Sequence, residues 1–173
     1  HYTWVLSRLA VELDEMPYQY KKFSISTWVE NVYRLFTDRN FEILDEDGRT
    51  IGYARSVWAM ISQQTRKPAD LLTLHGGSIV DYVCDKECPI EKPSRIKVDD
   101  CEPDTTYEAK YSDIDINGHV NSIKYIERVL DLFPLEMYKE KRIKRFEVAY
   151  IAESYYGDTL SFYKQKINEN EYN

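Results

Sequence analysis

The stretch Tyr107-Glu108-Ala109-Lys110-Tyr111-Ser112-Asp113-Ile114-Asp115-Ile116-Asn117-Gly118-His119-Val120-Asn121-Ser122-Ile123-Lys124-Tyr125-Ile126-Glu127-Arg128-Val129-Leu130 decides the fold. Its first five residues read as a short strand, and Ser112 to His119 is polar and carries a glycine. Val120, Ile123, Ile126, Leu130 and Phe133 then recur at helical spacing. Lys124, Glu127, Arg128 and Asp131 fall on the other side, so this helix is expected to press one face on a sheet and show the other to water, ending at Pro134. A basic run, Lys139-Glu140-Lys141-Arg142-Ile143-Lys144-Arg145, leads into strand-like Phe146-Glu147-Val148-Ala149-Tyr150-Ile151-Ala152-Glu153. Strand, helix and meander together predict an α+β unit in which a sheet wraps on a helix.

Upstream, residues 4–13 and 23–29 alternate as half-buried strands do, with a turn at Pro17 between them. Residues 32–44 and 51–61 predict two long antiparallel strands joined at Asp45-Glu46-Asp47-Gly48-Arg49-Thr50, whose Asp-Gly is a strong hairpin signal. From Pro68 to Thr105 the period is lost among Gly76-Gly77, Pro89, Pro93, Pro103 and many acids, which predicts a connector with one short helix near 68–73. The expected division is 1–83, a connector over 84–105, and 106–173.

An offset of 137 residues lays the chain on itself, with Arg8 on Arg145, Val11 on Val148, Tyr18 on Tyr155, Phe23 on Leu160 and Ile25 on Phe162. In this register the first copy lacks the helix, which would precede His1, and the second lacks counterparts of residues 31–61, which would follow Asn173. The chain is therefore expected to be part of a longer protein.

Composition excludes several classes. The 173 residues hold 23 Lys+Arg against 30 Asp+Glu, a net charge of −7, with 43% hydrophobic residues and 14% aromatic ones, enough to bury a core. Six Gly and six Pro argue against a fibrous or linker-rich chain. No apolar run approaches the ~18 residues of a membrane span, and a pI near 5.1 argues against a general nucleic-acid surface. Cys84, Cys88 and Cys101 are odd in number, and Cys84-x3-Cys88 has no second pair or nearby histidine to complete a zinc site. Reduced structural thiols and a cytoplasmic protein are the expectation. His1 is terminal and His75 precedes two glycines, which leaves His119 as the histidine in chemically interesting company.

In an extended segment Asp115, Asn117 and His119 share one face, with Ile114 and Ile116 on the other. A following helix N-terminus would add backbone N–H groups near Val120 and Asn121, suited to a developing oxyanion. The plainer reading stays open: Asp113 or Asp115 turns the chain, Asn117-Gly118 is a turn and Asn121 caps the helix. No Gly-x-Ser-x-Gly elbow is present, and no further ligand completes a metal site, so water is the expected nucleophile. Its base would be Asp115 or Glu153, the latter at the end of an apolar strand where burial raises a carboxyl pKa; an exposed strand-end acid is the alternative.

Asp115-Ile116-Asn117-Gly118-His119-Val120-Asn121 with Lys124-Tyr125-Ile126 resembles the Asp-x-Asn-x-His-Val-Asn-Asn-x-Lys-Tyr signature of the acyl-acyl carrier protein thioesterases of plants and bacteria. Trp4-Val5-Leu6-Ser7-Arg8, Thr27-Trp28-Val29 and Thr65-Arg66-Lys67-Pro68 support the match, which runs over essentially the whole chain and favours the bacterial branch. The resemblance implies a tandem hotdog fold and hydrolysis of the thioester between a fatty acyl chain and the phosphopantetheine of acyl carrier protein, with no cofactor of the enzyme's own. It also implies catalytic roles for Asp115, Asn117, His119 and Glu153. Ser154 stands where plant members carry Cys, which favours activated water over a thiol nucleophile. In the repeat register Met16 takes the place of Glu153, so the first half would bind the acyl chain and the second would supply catalysis.

An acidic carrier calls for a basic surface. From Lys124 to Arg145 seven basic residues outnumber four acidic ones, and Lys124, Arg128, Lys141, Arg142, Lys144 and Arg145 are the expected docking residues, an ordinary solvated face being the alternative. Acyl-coenzyme A hydrolysis, a noncatalytic acyl-binding module and a homodimer all remain compatible with the sequence.

Overall fold

The structure, a computed structural model, describes residues 1–95 and 102–173. Cys101, one of the three expected thiols, lies outside the described residues.

Four long strands follow the alternation in the sequence: β1 (Tyr2–Leu13), β2 (Ser24–Val32), β3 (Thr37–Leu44) and β4 (Thr50–Ser62). The β3–β4 hairpin closes where Asp-Gly predicts. Asp45 Oδ1 accepts from the amides of Asp47 (3.0 Å) and Arg49 (2.9 Å), and Gly48 takes φ +79°, a conformation that favours glycine. The stretch 32–44 is not one strand, since β2 runs to Val32 and the chain turns before β3, with Tyr33 N donating to Phe36 O at 2.7 Å.

A fifth strand, β6 (Arg145–Ala149), pairs antiparallel with β1 and completes the order β2-β3-β4-β1-β6. Its register bears on the repeat. A shift of 137 residues carries Arg8 to Arg145, Ala10 to Glu147 and Glu12 to Ala149, while the ladder sets Arg8 opposite Ala149, Ala10 opposite Glu147 and Glu12 opposite Arg145. Arg8 thus faces the counterpart of Glu12, Glu12 faces the counterpart of Arg8, and Ala10 faces its own, as a local two-fold axis through the Ala10–Glu147 pair requires.

One face of this sheet is polar, and the expected connector binds it. Cys84 N donates to Val29 O (2.9 Å), and Trp28 Nε1 donates to Lys86 O (2.5 Å). Lys86 pairs with Glu42 (2.5 Å), Arg55 donates to Ile90 O (2.9 Å), and Lys92 pairs with Asp38 (2.9 Å). Ser94 donates through its amide (2.6 Å) and hydroxyl (2.7 Å) to Glu147 on β6. Cys88 and Ile90 bury against Trp28 and Tyr53. Residues 84–94 are therefore a strap crossing the sheet from β2 to β6, and Cα packing groups His1–Ser94 with Ile143–Ala149 in one unit. Strand 145–149, which the expected division assigned to 106–173, pairs with β1 of this sheet. No helix forms at 68–73; a 3-10 segment follows at Leu74–Tyr82, broken at His75, Gly76 and Gly77, where φ is positive. The Asp70 carboxylate accepts from Leu72 N (3.1 Å), so Asp70 shapes a turn ahead of that segment.

The second unit contains 95–142 and 150–173. Here β5 (Thr105–Glu108) pairs antiparallel with β7 (Thr159–Phe162), and β8 (Lys166–Asn168) with β9 (Glu171–Tyr172). Helix α1 spans Ser122–Leu130, shorter than the apolar period suggests because Asn121 caps it. The helix ends at Leu130, four positions before Pro134, which instead stands at the N-cap of a further helix, α2 (Leu135–Glu140). Proline suits a helix start, where its missing N–H leaves nothing unpaired.

Candidate active site

The loop between the 3-10 turn Tyr111–Asp113 and α1 is built on Asp113, whose side chain is 2% exposed. Its Oδ2 accepts from Lys110 N (2.7 Å) and from the Tyr107 hydroxyl (2.9 Å), and Arg128 Nη2 on α1 lies 3.7 Å from Oδ1. Burial pushes this carboxyl up, but the Lys110 amide, the Tyr107 hydroxyl and the nearby cations outweigh it and hold the group below the ordinary aspartate value. Asp113 O accepts from Asn121 N (2.7 Å), and Ile114 bridges to Val120, so both ends of the loop are tied together.

Within that frame Asp115 Oδ1 accepts from the amides of Asn117 (2.7 Å) and His119 (3.3 Å), and Asp115 N donates to His119 O (2.8 Å). Gly118, at φ +82°, lets the turn close. Asp115, Asn117 and His119 are thus brought together by a closed turn and not by an extended segment. Burial again pushes the Asp115 carboxyl up, but the amides of Asn117 and His119 outweigh it and leave the carboxyl lowered.

His119 Nε2 points to Glu153 Oε2 at 3.4 Å, joining two residues that the sequence separates by two helices and a strand. Glu153 does not end a strand: β6 stops at Ala149, and Glu153 lies in the following loop, before a turn in which Tyr155 N donates to Asp158 Oδ2 at 2.8 Å. The imidazole also meets the ring of Tyr155 edge to face, with centroids 5.2 Å apart. Tyr155, Asp113 and Tyr107 escaped the sequence reading as site residues; the aromatic two positions after Glu153 was the available signal for the first of them.

The amides expected to receive an oxyanion are occupied. Val120 N donates to Ser154 O (2.8 Å) and Asn121 N to Asp113 O (2.7 Å), because closing the loop uses both groups. Asn121 instead caps α1, its Oδ1 accepting from Ile123 N at 3.0 Å.

The expected docking cations are largely paired. Lys124 meets Glu127 (2.8 Å), and Arg128 meets Asp113 (3.7 Å) and Asp131 (3.4 Å). Lys141 donates to Glu169 O and Asn170 Oδ1, both at 3.1 Å. In the other unit Lys144 meets Asp14 (3.7 Å), and Arg145 is bracketed by Glu12 and Glu147. Arg142 has no ion-pair partner among the described residues.

Residues 1–73 match the acyl-ACP thioesterase N-terminal domain, and residues 96–173 match the acyl-ACP thioesterase C-terminal domain. The chain is 72% identical to an acyl-ACP thioesterase from Bacteroides thetaiotaomicron of known structure, over 99% of this chain and 69% of that one, with a TM-score of 0.92. It is 28% identical over 153 residues to a chloroplastic palmitoyl-acyl carrier protein thioesterase of Arabidopsis thaliana, covering 85% of this chain and 37% of the relative. The 12:0-ACP thioesterase from Umbellularia californica shares the fold at 21% identity, over 89% of this chain and 62% of that one, with a TM-score of 0.74. The architecture is thus an α+β fold of the hotdog thioesterase type. The chain belongs to the acyl-ACP thioesterase family, and it spans 37% to 49% of the curated relatives from Arabidopsis thaliana that it matches.

Proposed function

We propose that the protein hydrolyses fatty acyl-acyl carrier protein thioesters, releasing free fatty acid and so ending chain elongation. The observation that carries this reading is the 3.4 Å approach of His119 Nε2 to Glu153, beside a hydrogen-bonded turn at the head of α1, in a chain that matches both domains of the family. Glu153 is the general base that takes a proton from water, and His119 orients that water and passes the proton toward the leaving thiolate. Asp115 forms the turn and is a poor base, because two amides hold its Oδ1 and its carboxyl is lowered. With the Val120 and Asn121 amides in use, the oxyanion falls to the Asn117 carboxamide beside the positive end of α1.

Acyl carrier protein is the proposed partner, docking on the exposed basic side around Lys141 and Arg142, which steers an acidic protein through a salt-sensitive field. No cofactor takes part in the scheme. The free thiols of Cys84 and Cys88 suit a cytoplasmic setting, and no helix among the described residues is long and apolar enough to cross a membrane.

The experiment is release of fatty acid from matched acyl-carrier and acyl-coenzyme A substrates by wild type and His119→Ala. Hydrolysis of the carrier substrate that falls about 10²–10⁴-fold in the variant supports the reading. Preference for coenzyme A redirects it to the related hydrolases, and the absence of any His119-dependent release leaves only an acyl-binding role.

A further inference from the structure

His119 has a neighbour to which neither the signature nor the proposed proton path gives a role. The Tyr155 ring stands against the imidazole at a centroid distance of 5.2 Å and an interplanar angle of 72°. Edge-to-face contact sets the electropositive rim of one ring against the electron-rich face of the other, which adds directional preference to plain burial.

The backbone that delivers Tyr155 is pinned on both sides. Tyr155 N donates to Asp158 Oδ2 (2.8 Å), Asp158 N donates back to Tyr155 O (3.1 Å), and Gly157 completes the turn at φ +85°. The turn is fastened to the fully buried Ala109: Ala109 N donates to Asp158 O (2.9 Å), and Gly157 N donates to Ala109 O (3.0 Å). On the other side, Ser154 O accepts from Val120 N (2.8 Å), the residue next to His119. The backbone that carries the half-exposed tyrosine ring is therefore anchored to the strand end that precedes the site loop and to the residue that follows the histidine. Among the described residues its hydroxyl makes no hydrogen bond, so the contact with His119 belongs to the ring and not to the phenol.

We infer that Tyr155 is a positioning residue that fixes the His119 imidazole so that Nε2 faces Glu153. Glu153 and Tyr155, two positions apart, bracket one ring, the first by charge and the second by shape. For its kinetic consequences this inference rests on the hydrolytic reading; the contact itself has an independent readout.

The test uses the whole chain as wild type, Tyr155→Phe, Tyr155→Ala, His119→Ala and the His119→Ala/Tyr155→Ala pair. With acyl-carrier substrate, Tyr155→Ala should lower kcat about three- to tenfold with KM unchanged, and Tyr155→Phe, which keeps the ring, should restore kcat to within about twofold. In the His119→Ala background the tyrosine change should cost nothing further. In proton NMR spectra the His119 ring signals should carry a ring-current shift in wild type and Tyr155→Phe that disappears in Tyr155→Ala. If wild type hydrolyses nothing, the hydrolytic reading falls and the NMR comparison still decides the contact. Ring signals indifferent to Tyr155→Ala, or a loss of kcat that is the same with and without His119, would overturn the inference.

Discussion

The Nε2 of His119 and the Oε2 of Glu153 stand 3.4 Å apart although 34 positions separate them in the chain. Such a pair acts as one unit. His119→Ala and Glu153→Gln should each lower kcat by about 10²–10⁴-fold, the usual scale of positioned acid–base catalysis. The double variant should be no worse than the more damaged single one. Steady-state kinetics on the four proteins checks this, and multiplicative losses would show that the two groups act separately.

Asp115 separates a turn-forming role from a chemical one. Asp115→Asn retains an oxygen for the amides of Asn117 and His119, and it should keep activity within about tenfold of wild type, whereas Asp115→Ala opens the turn and should lose far more. Equal inactivity of the two variants would return Asp115 to the role of base.

Ser154 contributes its carbonyl oxygen to Val120 N, a bond that alanine preserves. Ser154→Ala should therefore leave kcat within about threefold of wild type, as a path without a serine nucleophile requires. Complete loss, or a burst of acyl-enzyme in wild type, would establish a covalent route.

The buried Asp113 is a matter of stability. Removing its carboxylate strands the donors at Lys110 and Tyr107 and takes a buried carboxylate away from Arg128, which keeps Asp131, so Asp113→Ala should cost about 2–4 kcal/mol. Tyr107→Phe removes one of those bonds and should cost about 1 kcal/mol. Denaturant unfolding of the three proteins measures both values, and equal costs would deny Asp113 its central place.

Acid should weaken the fold through Asp113 and Glu147. In both, burial pushes the carboxyl up, and the opposing groups prevail: the Lys110 amide and Tyr107 at the first, Ser94 and Arg145 at the second, so each native pKa lies below the ordinary 3.8 or 4.5. The unfolded chain therefore takes up these protons at higher pH than the native one. Stability from this source is complete above about pH 5 and declines as pH falls through the unfolded values toward the lower native ones. Glu147→Gln should flatten that acid limb in unfolding measurements made as a function of pH.

Local chemistry determines how much of this was legible in the sequence. The four long strands alternate visibly, and Asp45 with Gly48 dictates the hairpin, since turn and period are properties of neighbouring residues. The strap could not be read in the same way: Lys86, Ile90 and Ser94 are ordered by Trp28, Arg55 and Glu147, partners 35 to 58 positions away, while the prolines between them erase any period. At the site, the Asp-x-Asn-x-His spacing marks a loop that the structure closes into a turn. The occupancy of the Val120 and Asn121 amides was hidden because their acceptors, Ser154 O and Asp113 O, are backbone atoms that carry no residue-specific signal. The place of Glu153 beyond β6 depends likewise on a turn set by Asp158 and Gly157.

The symmetry of the β1–β6 ladder about Ala10 and Glu147 has a further meaning for handling this protein. A strand that faces the counterpart of itself is nearly self-complementary: in a fragment cut ahead of residue 143, the uncovered edge of β1 would offer a second copy of the same fragment almost the same pattern of donors and acceptors. Such fragments would couple edge to edge into dimers in place of the lost β6, and the intact chain satisfies that appetite within itself.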